Sequence, residues 1–364
     1  MKLGTVIRHL EQWAPPAYQE SYDNSRLLTD NPEMEITGIL VSLDATENII
    51  EEALAKRCNV VVCHHPVIFG GLKSLTGKNY VERTVIRAVK NDVAIYAIHT
   101  NLDNVAAGVN KKIADLVGLT DTRILSPVTG KLMQLEIVVP HENAEAVRRA
   151  AFDAGAGSLG AYREGWFGSE GVSGFTPEAG SRPVHGEAGR AERLSQTKLE
   201  FTFPSYRQTA VWAAVKSVHP YREPDHRFTA LANADQNVGA GMIGRLPTPE
   251  PTEDFLKRIK QVFGCGTVKY TAPVGDTVST VALCGGAGFF LLPQAVSQGA
   301  DVYLTSDVKY HEFFDADGRI VLADIGHYES EQFTRDLIAG KLAAGFPELA
   351  VAVCDTVTNP VHYL

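Results

Sequence analysis

The residues of this chain best suited to chemistry stand where buried strands end. Val60-Val-Val-Cys63 runs straight into His64-His65-Pro66, and the proline stops the strand, so two imidazoles sit where the chain leaves a sheet. Ala97-Ile98 leads into His99-Thr-Asn-Leu-Asp103, and Val321-Leu-Ala-Asp324 leads through Gly326 into His327 and Glu331. His327 and Glu331 are four residues apart, so once helical they share a face. Successive side chains alternate along a strand, so the adjacent His64 and His65 suit two neighbouring ions better than one. Sites in open α/β sheets gather at the carboxyl ends of strands. Three such ends deliver His64, His65, Asp103, His327 and Glu331 to one edge. Three imidazoles and two carboxylates, without thiolate, suit a pair of divalent ions such as Zn, Mn or Fe. The alternative is a set of satisfied structural histidines, which would need a partner for each of two consecutive buried imidazoles. A fourth segment shares the layout: Val302-Tyr-Leu-Thr305-Ser306-Asp307-Val-Lys309-Tyr310-His311. Asp307, Lys309 and His311 would supply orienting bonds or a proton relay, or else mark a solvated helix start capped by Ser306.

Alternating strands and helices must position these residues. In the first 125 residues, strands are expected at Ile36 to Leu43, Asn59 to Cys63 and Val93 to Ile98. Helices are expected at Glu47 to Lys56, Val81 to Lys90 and Val109 to Val117, after an amphipathic N-terminal helix carrying Val6, Leu10 and Trp13. The pattern resumes near residue 255, with helices at Phe255 to Val262, Ala287 to Gln298 and Ser330 to Ala344. Strands there are expected at Val278 to Leu283, Asp301 to Thr305, Arg319 to Ala323 and Val351 to Asp355. This grammar predicts an α/β layer with a largely parallel sheet. Between the halves it changes to β-α-β-β-α-β, the order of a ferredoxin-like unit. Strands are expected at Leu132 to Val139, around Leu159–Glu164 and Gly171–Thr176, at Lys198–Phe203 and at Phe228–Ala232, with helices at Glu142 to Ala154 and Tyr206–Ser217. The expected organisation is a discontinuous α/β core, residues 1–127 and 236–364, split by an inserted α+β domain at 128–235. Positions 165 to 189 hold Gly or Pro at every third residue, but Pro177 and Pro183 occupy the register a collagen helix reserves for Gly, so a mobile loop is expected.

Composition narrows the function. The chain has 364 residues, 34 Lys+Arg against 43 Asp+Glu and a net charge of −9, which argues against nucleic acid as the general partner. The most apolar stretch, Val281 to Pro293, is too short to span a bilayer. Five cysteines, an odd number with no CxxC spacing, read as reduced buried thiols of a cytoplasmic protein. Gly239-Ala-Gly241-Met-Ile-Gly244 matches a dinucleotide fingerprint, but the prolines at 247, 249 and 251 cannot open the helix that fingerprint needs. Gly77-Lys78 fails the P-loop spacing.

Taken in order, Trp13-Ala-Pro-Pro, Tyr22-Asp-Asn24, Leu43-Asp44, His64-His65-Pro66, His99-Thr-Asn-Leu-Asp103, Gly239-Ala-Gly241, Cys284-Gly-Gly-Ala-Gly288, Asp307-Val-Lys-Tyr-His311 and Gly326-His327-Tyr-Glu-Ser330-Glu331 span nearly the whole chain. Their combination resembles the Nif-three-like proteins, also named GTP cyclohydrolase 1 type 2 homologs. The resemblance implies a dinuclear metal centre held by His64, His65, Asp103, His327 and Glu331. It further implies a toroidal homohexamer and a central insert similar to the PII/CutA-like fold. One departure is that Thr305-Ser306-Asp307 stands where the family usually shows Thr-Gly-Asp, and Ser306 lacks glycine's freedom at positive φ. The expected activity is metal-dependent hydrolysis of a C–N bond in a cyclic amide or purine-like small molecule. Two ions about 3.5–4 Å apart would activate water and polarise the substrate oxygen. Asp103 or Glu331 would bridge them, and His99 or His311 would move protons. The alternatives are a metal-carrying regulatory or scaffold protein with protein partners, and a dinuclear phosphoesterase.

Overall fold

The computed structural model describes residues 1–158, 160, 162–181 and 183–364. It divides into two compact units: Met1–Ser126 together with Asn237–Leu364, and Pro127–Gln236.

The first unit begins with the helix Leu3–Trp13, which buries Leu3, Val6 and Leu10. Strands β1 (Ile39–Ser42), β2 (Val60–Cys63) and β3 (Ala94–Ala97) follow, each buried along its whole length. Full burial explains their uninterrupted apolar runs, since helices cover both faces of a parallel sheet. The helices Glu47–Ala55 and Tyr80–Lys90 pack Ile49, Ile50, Ala53, Val85 and Ala88 against Val61, Ile95 and Leu40. Each buried Val of β2 contributes about 1.5 kcal/mol or more, which anchors the residues that follow it. Asn79 caps the second helix by accepting from the Glu82 amide at 2.9 Å. After the helix Val109–Val117, β4 (Thr120–Val128) leads out of the unit.

The second unit has strands β5 (Leu132–Val139), β6 (Phe167–Phe175), β7 (Glu192–Pro204) and β8 (His226–Leu231), with helices Ala144–Asp153 and Gln208–Val218. All pairings are antiparallel and the order is β6-β7-β5-β8, the ferredoxin-like arrangement. The strand expected around Leu159–Glu164 falls partly outside the described residues, because Leu159 and Ala161 are among those left out. The first part of the Gly-rich stretch is strand rather than loop: Gly168, Gly171 and Gly174 lie in β6, paired to β7.

The chain re-enters the first unit along β9 (Asp235–Pro251), followed by helix Thr252–Phe263, β10 (Lys269–Tyr270), β11 (Thr277–Leu283), β12 (Val302–Thr305), β13 (Val321–Asp324), helix Thr334–Gly345 and β14 (Val351–Val353). Two sheets result. One is all parallel, β14-β1-β2-β3, and the other is mixed, β10-β13-β12-β11-β9-β4. Within the second sheet β11, β12 and β13 run parallel, while β9 is antiparallel to β11 and β10 to β13. The single largely parallel sheet expected from sequence is therefore corrected to two. The fingerprint-like run Gly239–Gly244 lies inside β9, paired with β11, and not at a strand-to-helix turn. The Ala287 to Gln298 helix shortens to Leu292–Ser297 behind a 3₁₀ turn at Phe289–Leu291.

Candidate metal centre

The parallel pairing of β2 with β1 continues past the strand: the His64 amide donates to Ser42 O at 3.2 Å and the His65 amide to Leu43 O at 2.9 Å. Both histidines are thus held as firmly as the sheet, and Pro66 then releases the chain. Their rings lie 5.0 Å apart at 45°. His64 is fully buried, and its Nδ1 lies 2.8 Å from Ile98 O. Nδ1 must carry the proton to donate there, which leaves Nε2 as a bare lone pair. That Nε2 has no hydrogen-bond partner, although it lies 3.5 Å from Asp103 Oδ1 and 4.0 Å from Glu331 Oε2.

The same arrangement recurs around the cluster. His65 Nδ1 meets Asp44 Oδ1 at 2.8 Å, with Nε2 2.9 Å from Glu331 Oε2. His327 Nδ1 meets Asp307 Oδ2 at 2.6 Å, with Nε2 3.1 Å from Glu331 Oε2 and 3.4 Å from His65 Nε2. His99 Nδ1 meets Asp23 Oδ1 at 2.8 Å, and Asp23 Oδ2 in turn accepts from Ser25 Oγ, the Thr100 amide and Thr100 Oγ1. Each ring is tied outward through Nδ1, to a carbonyl or a carboxylate. This fixes the tautomer a metal-ligating histidine needs.

Three groups of donor atoms lie within 4.8 Å of one another: His64, His65 and His99; His65, His327 and Glu331; and His64, Asp103 and Glu331. An orphaned buried imidazole nitrogen inside an imidazole–carboxylate donor set fits a divalent cation. The five predicted residues His64, His65, Asp103, His327 and Glu331 all meet here, with His99 beside them. The partners Asp23 and Asp44 escaped the sequence reading of the site. Asp44 follows the apolar strand β1, the same strand-end layout as the three segments singled out, and that was the available signal.

Electrostatics of the metal-free cluster are set by burial and by mutual pairing. Burial holds the His64 ring neutral, down to about 3. Burial also opposes charge on His65, but the bonds to Asp44 and Glu331 outweigh it and lift the ring to about 9. His327 rises to about 11, where burial yields to Glu331 and Asp307. Glu331 is held well below its usual range because His327 and His65 outweigh its burial, and Asp103 is pushed well above by burial and by Glu331. Protons on the rings thus balance the carboxylate charge that a cation would otherwise meet.

Asp307 lies in the left-handed region at φ 57°, and this turn lets its carboxylate face His327. The departure noted at Ser306 falls one residue away from the strained position: Ser306 is not at positive φ, and its amide donates to Gly286 O. The same turn carries the following residues outward. Lys309 is exposed and pairs with Glu312. His311 is exposed on a 3₁₀ turn against Tyr310 and Phe314, outside the donor groups and the cavity lining. The structure thus brings neither Lys309 nor His311 to the cluster.

Glu331 is covered by the Cys284–Gly288 loop. A methyl at Gly286, whose φ is +62°, would stand 2.5 Å from Glu331 Oε1, so only glycine fits. A cavity of about 620 Å³ opens over the cluster, lined among others by Glu20, Tyr22, Phe69, Asn104 and Phe290.

The family model described as Duf34/NIF3 (NGG1p interacting factor 3) matches residues 1–360. A GTP cyclohydrolase 1 type 2 homolog of Halalkalibacterium halodurans is 36% identical over 326 residues, 89% of this chain and 87% of that protein. The one from Bacillus subtilis is 33% identical over 365 residues, 99% of this chain and 98% of that protein. The crystal structure of a Bacillus cereus protein related to NIF3 superposes with a TM-score of 0.87 at 30% identity, covering 100% of this chain and 99% of that one. Among the described residues no helix is long and apolar enough to cross a membrane.

Proposed function

This chain belongs to the Duf34/NIF3 family, and we propose that it is a metal-dependent hydrolase opening a C–N bond in a cyclic amide or purine-like small molecule. The observation that carries the reading is the unpartnered, fully buried Nε2 of His64 amid rings tied outward through Nδ1. His64, Asp103 and Glu331 would hold one divalent ion, and His65, His327 and Glu331 a second, with Zn, Mn or Fe matching the donors. Glu331 belongs to both groups and would serve both ions. When bound, such a pair supplies Lewis acidity and lowers the pKa of water.

The protein's own residues do the rest. Asp44 and Asp307 fix the ring orientations of His65 and His327. Asp23, its side chain buried and five times bonded, holds His99 so that its Nε2 accepts or returns a proton at the substrate. Tight packing of Gly285 and Gly286 over Glu331 excludes water from that side. A homohexamer is the proposed assembly.

The test compares parent and Glu331→Gln, which keeps side-chain size and removes one negative charge. Metal content and turnover of cyclic amides, GTP and phosphodiesters are measured across pH 5 to 9. Metal binding is expected to fall by about 100-fold or more and turnover with it, since even an outer partner is worth about 10–100-fold. Equal residual rates in both proteins would replace the hydrolase with a metal-carrying regulatory protein. Turnover confined to phosphodiesters would replace it with a phosphoesterase.

A further inference from the structure

The cavity over the cluster has a composition that selects its occupant. Tyr22, Phe69 and Phe290 line it and are 63%, 51% and 62% exposed, an unusual concentration of uncovered aromatic surface. The rings of Tyr22 and Phe69 lie within 18° of parallel with centroids 6.4 Å apart. Phe69 also meets the His99 ring edge-on, with centroids 5.7 Å apart at 73°. A flat ring stacked on Phe69 would therefore lie beside His99 and the metal cluster. Glu20 adds a carboxylate whose Oε1 takes one bond from Asn104 Nδ2 at 3.0 Å. A carboxylate only accepts, so it favours a ring that presents N–H donors.

Charge points the same way. Among the described lining residues there is no Lys or Arg, while Glu20, Asp103 and Glu331 are all present. Asp23, Asp44 and Asp307 stand directly behind. These six carboxylates outnumber the four positive charges of two dications, and apart from the ions themselves the lining offers no cationic side chain to a phosphate chain.

We infer that this cavity takes an uncharged, planar heteroaromatic ring bearing N–H groups, stacked on Tyr22, Phe69 and Phe290, and not a nucleotide polyphosphate. The inference rests on the hydrolase reading of the same cavity and narrows its substrate to a free base or nucleoside. Stacking on an aromatic side chain is worth about 5- to 150-fold in affinity per base.

The test is calorimetry on the metal-loaded protein with three probes: guanosine, GTP and 5,6-dihydrouracil, a saturated ring. Guanosine should bind at least about 10-fold more tightly than either of the others, a gap of about 1.4 kcal/mol. Phe69→Ala and Phe290→Ala should each weaken guanosine binding by about 5-fold or more at parental metal content, which shows them folded. Phe69→Leu, apolar but not aromatic, should fall between. GTP binding as tightly as guanosine, no guanosine binding by the parent, or undiminished binding by both alanine variants would each overturn the inference. Guanosine that binds as expected but is never cleaved leaves it standing and removes the hydrolase reading. Dihydrouracil turned over without guanosine binding does the reverse.

Discussion

His64 in the first unit and His219 in the second are both buried, and both have a ring shifted toward the neutral form by burial. Their hydrogen bonding separates them. His219 donates through Nε2 to Val138 O at 3.0 Å and accepts at Nδ1 from the Tyr221 amide at 3.0 Å, so both nitrogens are used. His64 donates through Nδ1 and leaves Nε2 with no partner. The surroundings differ in the same sense. The second unit has an apolar core of Leu135, Ile137, Val139, Leu199, Phe201 and Phe203, closed by Val147, Val211 and Val215. The first unit places Asp103 and Glu331 beside His64, and all candidate metal-binding groups among the described residues lie there. Buried ions cost several kcal/mol each unless compensated, so packing alone does not account for such a cluster. One unit is built by packing; the other accepts electrostatic cost at a single edge of its sheets, as a functional site does.

The largest expected effect breaks the two histidines apart. His64→Ala should lower metal affinity by about 100-fold or more. His219→Ala should leave metal content at the parental level and destabilise the second unit by about 2 kcal/mol, because it strands a buried carbonyl and amide. Elemental analysis and chemical denaturation of both variants read the two outcomes. Metal loss in His219→Ala, or full metal in His64→Ala, would show that the contrast in bonding does not mark the ligand.

A smaller effect sharpens the same contrast without touching a ligand. Gly286→Ala puts a methyl against Glu331 Oε1 at a φ of +62°. Metal affinity should fall by about 10-fold or more, as when an orienting partner is lost. Gly130→Ala is the control in the second unit: it has the same backbone strain at φ +70° with nothing within 4 Å. That variant should lose stability and no metal. Parallel metal titrations of the two proteins decide whether it is the approach to Glu331, or backbone strain alone, that matters.

The residues that meet at the cluster could be read from sequence because each follows an apolar strand that had to be buried, and strand ends converge in such sheets. Val60–Val62 ahead of His64, and Val321–Ala323 ahead of His327, made the inference possible. Asp307 was read as an orienting residue, but Asp44 and Asp23, although inside motifs that carry the family resemblance, were given no role for a topological reason. Asp44 reaches His65 across 21 residues and Asp23 reaches His99 across 76, distances at which periodicity says nothing. His311 shares a strand-end layout with the residues that meet at the cluster, and only the left-handed turn at Asp307 shows that the chain swings outward there. Strand β9 was obscured by its own glycines and prolines, residues that elsewhere signal turns. Its glycines reflect crowding: a methyl at Gly244 would stand 2.8 Å from Thr120 O.

The smallest effect concerns how the first unit supports the cluster from behind. Glu52 accepts from the Asp355 amide at 2.7 Å and the Thr356 amide at 3.0 Å, and pairs with Lys56 at 2.8 Å. Two residues on, Thr358 Oγ1 donates to Asp44 Oδ2, the carboxylate that orients His65. Burial alone would raise the Glu52 carboxyl, but Lys56, Thr356 and Asp355 outweigh it and hold the carboxyl down to about 2. A carboxyl with a depressed folded-state pKa stabilises the fold above its unfolded value, about 4.3, and loses that contribution as pH falls toward the folded value. Glu52→Gln should therefore cost about 1 kcal/mol at pH 7. The gap between parent and variant should narrow between about pH 4.3 and pH 2 and close below it. Taking the difference of the two denaturation curves cancels the titration of the metal cluster, which both proteins share. A gap of equal size at pH 7 and pH 2.5 would mean that the Glu52 amide bonds act without its charge, and that the strap behind Asp44 is indifferent to acid.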